Sequence, residues 1–250
     1  MQRHRLVPLS AFCLLLLLPA GHASAQTVDE VVEKCLTAIG GRDALSKLTS
    51  RTSTGTVTVS TPAATLPGTV EIFAKSPNKS RAVIRLDLSS AGGTGVMTIE
   101  QLFDGARAFS LNTVQGDREI TGLQLDNLRN NLFPSPLLDY KAAGLTLELL
   151  PHEQLNGRDA IVLRVTPKVG SVSRIFIDAE TYLVARTVAT IDTPANGPLE
   201  QTSDVSDYRL VDGVKVAFHV VNANPLQTLN ITLSKVEHNL PIDDAMFGKK

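Results

Sequence analysis

Apolar residues alternate with polar or differently placed ones along most of this chain. Ile161, Leu163 and Val165 alternate with Ala160, Val162 and Arg164; Ile175 and Ile177 alternate with Arg174 and Phe176; Leu229, Ile231 and Leu233 alternate with Asn230 and Thr232. Successive side chains of a strand point to opposite faces, so this spacing describes strands with one apolar face. The pattern recurs from about residue 52 to about residue 238 and is broken mainly around 119–142. A long antiparallel sheet with one apolar face must cover that face, and what covers it bears directly on function.

The first 25 residues read as an export signal rather than as part of the fold. Arg3, His4 and Arg5 give a basic start, Leu6 to Leu18 an apolar run, Pro19 and Gly21 a break, and Ala23-Ser24-Ala25 a small-x-small cleavage site. The run is shorter than the roughly 20 residues a membrane span needs. Cys13 raises a lipoprotein reading, but Phe12 precedes it where a small residue is expected, and most of the leucines follow it. Cleavage is therefore expected after Ala25, with a periplasmic protein of residues 26–250 as the product. Arg3 and Arg5 are the only charged side chains of the leader, so the remainder carries a net charge of −3. With no basic block or basic helix, nucleic acid is excluded as an expected partner. Cys35 is the one cysteine left after processing, which precludes an internal disulfide; Val31, Val32, Leu36 and Ile39 around it point to a buried small hydrophobe. Trp is absent and aromatics are 4%, an aliphatic interior suited to packing or to fatty chains more than to sugar stacking.

Thr27-Val28-Asp29-Glu30 is a capping box, in which the Thr27 hydroxyl and the Glu30 carboxylate satisfy each other's backbone amides. A helix is expected from there to about Ile39, stopped by Gly40-Gly41, with a short second helix over 42–48; both are amphipathic and should pack on the sheet. Asp104-Gly105, Asn156-Gly157 and Asp212-Gly213 each suit a tight type I′ hairpin turn. The interruption has helical apolar spacing over 119–132, and after Phe133-Pro134-Ser135-Pro136 a second short helix is expected over 137–143. Residues 89–95 are Gly-rich, but a strand follows them, so they read as a hairpin loop rather than a phosphate cradle.

Catalytic constellations are not legible. His152, His219 and His238 fall on separate strands at no metal-ligand spacing, and there is no Gly-x-Ser-x-Gly elbow. Asp29/Glu30 belongs to a helix start and Asp243/Asp244 to a terminal turn. Arg85, Glu100, Glu148, Arg164 and Arg174 fall opposite the aliphatic face and read as a solvated outer surface, and Tyr208 as a core residue with a satisfied hydroxyl. No enzymatic activity, metal or cofactor is expected.

The aliphatic face is the positive result. Its first half carries Val57, Val59, Val70, Ile72, Ile84, Leu86, Met97, Ile99, Phe103 and Phe109. Its second half carries Leu145, Leu147, Leu149, Ile161, Leu163, Val165, Ile175, Ile177, Val216, Phe218, Leu229, Ile231 and Leu233. The cavity candidates are all of these except Met97, Leu145, Leu149, Val216 and Leu233, joined by Leu128 and Leu132 from the interruption. A curved sheet of about 11 strands makes an incomplete antiparallel barrel too wide to be filled by its own side chains. Helices must plug it, and any volume they leave is a dry aliphatic cavity in which each buried methylene gains about 0.8 kcal/mol. Complete filling by the helices is the competing expectation.

Several segments resemble a known group. Val28-Asp29-Glu30-Val31-Val32-Glu33-Lys34, Ala38-Ile39-Gly40-Gly41-Arg42-Asp43-Ala44-Leu45, Phe176 to Arg186 and Asp207 to Val216 resemble outer membrane lipoprotein-sorting protein-like sequences. They are similar to the periplasmic lipoprotein-carrier (LolA/LolB-like) superfamily over nearly the whole chain after the leader. The resemblance implies a single half-barrel domain over 26–250, closed by helices, whose concave face receives acyl chains of lipid or lipoprotein. It further implies a binder without catalysis; a monomer is expected, loaded by differential burial as helices 27–48 and 119–143 shift. A ligand-free interaction module or envelope-stress sensor acting on a membrane-protein partner is the alternative on the same scaffold.

Overall fold

A computed structural model describes residues 26–193 and 196–249; the expected export signal over 1–25 lies outside the described residues. The helix α1 (Val28–Ala38) and the short α2 (Arg42–Ser46) lead into thirteen strands. These are β1 (Ser50–Ser60), β2 (Thr65–Lys75), β3 (Lys79–Asp87), β4 (Val96–Phe103), β5 (Ala108–Asn112) and β6 (Arg118–Ile120), followed by the helix α3 (Gly122–Asn130). Then come β7 (Thr146–Leu155), β8 (Arg158–Thr166), β9 (Ser173–Asp178), β10 (Val184–Thr193), β11 (Gly197–Val211), β12 (Val214–Asn224) and β13 (Gln227–His238). A 3-10 turn over Asp244–Phe247, begun by the Asp243 side chain accepting from the Ala245 amide, ends the chain.

All thirteen strands form one antiparallel sheet in the order β6-β5-β4-β3-β2-β1-β13-β12-β11-β10-β9-β8-β7. Every neighbour is a hairpin partner except β1 and β13, whose pairing joins the two halves. The sheet does not close, so β6 and β7 are its free edges. The expected incomplete barrel is present, with two more strands than the alternation suggested. Close strand approach in β1 and β2 is made by glycine: a Cβ on Gly55 would lie 2.2 Å from the Thr232 carbonyl oxygen, and one on Gly68 2.1 Å from that of Arg85.

The local signals hold in most places. Thr27 and Glu30 form the capping box, with the Thr27 amide donating to Glu30 at 2.8 Å and the Glu30 amide to the Thr27 hydroxyl at 3.3 Å. Asn156-Gly157 and Asp212-Gly213 take positive φ at both positions, as a type I′ turn requires. The outer charges pair across strands, as in Arg85–Glu71, Arg81–Glu100 and Arg164–Glu148.

Three expectations need correction. Residues 137–143 form successive turns, not a helix, and the helix expected over 119–132 begins only at Gly122, because residues 118–120 pair with β5. Asp104-Gly105 is not a two-residue turn: the Asp104 carboxylate accepts from the Ala106 and Arg107 amides, giving a four-residue loop in which Phe103 pairs with Ala108. Phe109 therefore pairs with Leu102 and lies on the outer face, under the Arg107 guanidinium at 5.0 Å. The outer face is also not uniformly solvated. Ala160, Val162, Phe176 and Val188 form a buried cluster there, with Leu150 and Leu155 of β7 packed against it.

A candidate lipid-binding face

The sheet register defines rows of side chains across the concave face. One runs Leu149, Leu163, Ile175, Thr187, Ser203, Asn222, Leu229, Val59 and Leu66. Another runs Gly55, Val70, Ile84 and Ile99. The face is aliphatic on both arms and polar in its middle, where the Ser203 hydroxyl is hydrogen-bonded to Asn222.

The helices do not cover this face evenly. On the β7–β9 arm, Val31 and Cys35 of α1 pack against Ile161, Leu163 and Ile177, which are at most 1% exposed. Burial drives the Cys35 thiol up to about 12, so it is a packed hydrophobe rather than a nucleophile. Val32 and Leu36 on the adjoining stripe of α1 join Val57, Val59, Val70, Leu86, Val165, Phe218 and Ile231 in the central core. Phe133, Leu137 and Tyr140, from the turns that replace the expected helix, complete that filling. The Tyr140 hydroxyl and the Lys141 ammonium both bind Asp29, and Arg42 binds Glu33, which ties these turns and α2 to α1. Tyr208 donates to the Val184 carbonyl at 2.9 Å, and burial raises its hydroxyl to about 12.

On the β2–β4 arm the cover is incomplete. Ile72, Ile84, Met97 and Ile99 contact the central core yet keep accessible surface, as do Leu229 at its middle and Leu147 and Ile175 on the far side. At the Phe103 end of this arm lies α3. Leu125 and Leu128 rest on Phe103, Ala108 and Ile120, while Leu132, beyond the helix end, is partly buried. From the opposite face of the concavity, α3 is held by polar contacts. Asn127 donates to the Ser171 hydroxyl and the Thr190 carbonyl, accepts from the Ser171 amide at 2.8 Å, and Asn130 donates to the Val169 carbonyl at 2.7 Å. No residue of α3 is fully buried, whereas α1 buries four. The helix is a strap across the mouth of the half-barrel.

At one end of the same face stands a polar pair that the alternation could have revealed. Counting back in twos from Val57 through Gly55 and Ser53 reaches Arg51, which the register places opposite His238 on β13 and in line with Ala74, Ser80 and Phe103. The Nε of Arg51 and the Nε2 of His238 are both enclosed with no hydrogen-bond partner among the described residues. The Arg51 guanidinium faces the Phe133 ring at 5.7 Å, and His238 Nδ1 lies 3.2 Å from Asp212. Burial lowers the affinity of both side chains for their protons; for His238, Asp212 opposes this and the Arg51 charge adds to it.

Recesses elsewhere have a different character. One of 450 Å³ lies on the outer side against the C-terminal turn, among Arg81, Glu100, Asp117 and Lys249, and another of 590 Å³ borders Ser50, Lys75 and Ile242. Among the described residues, no cluster of three or more His, Cys, Asp or Glu could hold a metal, and no helix is long and apolar enough to cross a membrane.

No family model matches the chain, and no curated protein matches it in sequence. Solved structures do. A LolA superfamily protein from Nitrosomonas europaea is 14% identical, with 90% of this chain and 99% of that one covered and a TM-score of 0.56. An outer membrane lipoprotein-sorting protein domain from Vibrio parahaemolyticus is 11% identical, covering 87% and 94% at a TM-score of 0.55. The fold is LolA-like. A DUF1329 family protein from Desulfovibrio piger shares this LolA-like architecture at 14% identity, 90% and 98% coverage and a TM-score of 0.56. At these identities the likeness is one of fold, and the residues that line the face are this chain's own.

Proposed function

We propose that this protein is a periplasmic binder or carrier for the acyl chains of lipids or lipoproteins, acting as a monomer and without catalysis after residues 1–25 direct its export. The observation that carries the reading is the half-covered aliphatic surface of Ile72, Ile84, Met97 and Ile99, continuous with the core and flanked at the Phe103 end by a strap that buries little of itself. An acyl chain laid there replaces water on both surfaces, at about 0.8 kcal/mol per methylene buried. Loading displaces α3, because its attachment is six side-chain hydrogen bonds and two leucines, while α1 stays as the fixed plug of the other arm. A greasy ligand then leaves only for an acceptor that binds it better.

Native mass spectrometry of the protein purified from periplasm without detergent, with lipid analysis of what dissociates, tests this. A discrete added mass of phospholipid, fatty acid or lipoprotein is expected. A bare protein mass, unchanged after incubation with phospholipid vesicles, would sink the reading and favour an interaction module with a filled core.

A further inference from the structure

We propose that Arg51, with His238 beside it, receives the oxyanion head of the acyl ligand at one end of the concave face. This deepens the binding reading above and rests on it. Arg51 is a permanent cation. Among the described residues no carboxylate pairs with it, whereas seventeen other basic side chains have found acidic partners. An unpaired guanidinium on the inner face of a sheet is expensive to hold, since desolvation is offset by no partner of opposite charge. Its Nε is enclosed and unsatisfied, and so is Nε2 of His238, whose side chain is 1% exposed. The two residues are directly opposite each other on neighbouring strands, which places their Cα atoms about 4.5–5.5 Å apart.

The unsatisfied donor of the Arg51 cation calls for an acceptor carrying negative charge. A carboxylate or a phosphate ester supplies it. At His238, burial and the Arg51 charge outweigh Asp212, so the charge that meets the oxyanion is that of Arg51. Arg51 as a residue keeps some accessible surface, although its Nε is enclosed.

Position along the strand gives the complementary argument. Ile72 lies one inner row from Arg51, and the Ile84–Ile99 row lies two, or about 13 Å at strand spacing. A charged head at Arg51 thus leaves its chain running over the half-covered aliphatic surface toward Met97. Polar and apolar ends of one molecule would each meet their match on a single face.

The test titrates oleate, oleyl alcohol and inorganic phosphate separately into the wild type and into R51M, with thermal melts of both proteins. Oleate is expected to bind the wild type about 10- to 100-fold more tightly than oleyl alcohol, the worth of a hydrogen bond to a charged group. R51M is expected to erase that preference, leave oleyl alcohol affinity unchanged, and melt at the same or a higher temperature because an unpaired buried charge has gone. If R51M fails to fold, R51Q serves in its place. Equal binding of oleate and oleyl alcohol to the wild type, or an oleate preference that survives in the folded variant, overturns the headgroup site while leaving the acyl reading standing. Phosphate bound as tightly as oleate and lost in R51M means a free-anion site and overturns the headgroup assignment. Failure of both acyl ligands to bind overturns the acyl reading itself.

Discussion

On the β7–β9 arm, Ile161, Leu163 and Ile177 are packed under Val31 and Cys35 of α1; on the β2–β4 arm, Ile72, Ile84 and Ile99 occupy comparable inner positions and keep accessible surface. Both sets are equally aliphatic, and both follow the same period-two rule. α1 packs on the first set, whereas α3 rests beyond the second, on Phe103, Ala108 and Ile120. α1 is fixed by a capping box and presents two buried stripes, whereas α3 is anchored by Asn127 and Asn130 and buries no residue completely. Alternation thus states which face of a strand is apolar and leaves open what will cover it. Ile161, Leu163 and Ile177 are core, whereas Ile72, Ile84 and Ile99 are the surface we propose for a ligand.

The sharpest way to break this contrast is a charge on each arm. Leu163→Glu would put a carboxylate against Val31 and Cys35 with no cation to meet it, and a loss of more than about 4 kcal/mol is expected, read as loss of the cooperative thermal transition. It is a folding variant, unsuited to testing binding despite its inner-face position. Ile99→Glu should behave oppositely. Its accessible surface lets the carboxylate reach water, so a destabilisation within about 1 kcal/mol, or about 2–4 °C in Tm, is expected. Oleyl alcohol affinity should fall at least about tenfold, by the hydration now held at the centre of the face. If the two variants lost stability equally, the arms would be equally buried and the contrast would be wrong.

A smaller effect concerns what steadies the half-covered arm from outside. Asp244 in the C-terminal turn meets Lys75 of β2 at 2.7 Å and Lys79 of β3 at 2.6 Å, and these hydrogen bonds pull its carboxyl down to about 2. A carboxylate depressed in the folded state stabilises above its unfolded value of 3.8 and loses that contribution as pH falls through about 2. Release of the turn is therefore expected between about pH 4 and 2, seen as faster amide exchange in residues 244–247, and Asp244→Asn should show that faster exchange already at neutral pH. Because the pair is exposed, the change in global melting should be slight.

Much of the architecture could be read from residues alone, and each miss has a physical cause. Asn156-Gly157 and Asp212-Gly213 fixed hairpins because their positive φ values are required locally. Asp104-Gly105 misled because the Asp104 carboxylate can also organise a longer loop, whereas Phe109 lies on the outer face by parity, since Phe103 is inner and pairs with Ala108. Residues 137–143 have helical apolar spacing but are shaped by tertiary contacts of Leu137 and Tyr140 with the core. Val162 and Phe176 look like ordinary outward positions until cross-strand packing buries them. Of the candidate site, the inner aliphatic rows were legible, whereas their cover depends on where α1 and α3 come to rest. Arg51 was legible in principle, by parity, but a charge at a strand end reads as solvated unless its row is traced to Phe103 and His238.

An open sheet has two unpaired margins, each able to recruit a strand from another molecule. On this protein both margins are poor templates. β6 is three residues long with Arg118 and Glu119 on it, and β7 is interrupted by a bulge between Leu150 and Glu153, next to Pro151 and His152. The short strand at one margin and the kinked, proline-bearing strand at the other work against polymerisation of the chain with its own copies.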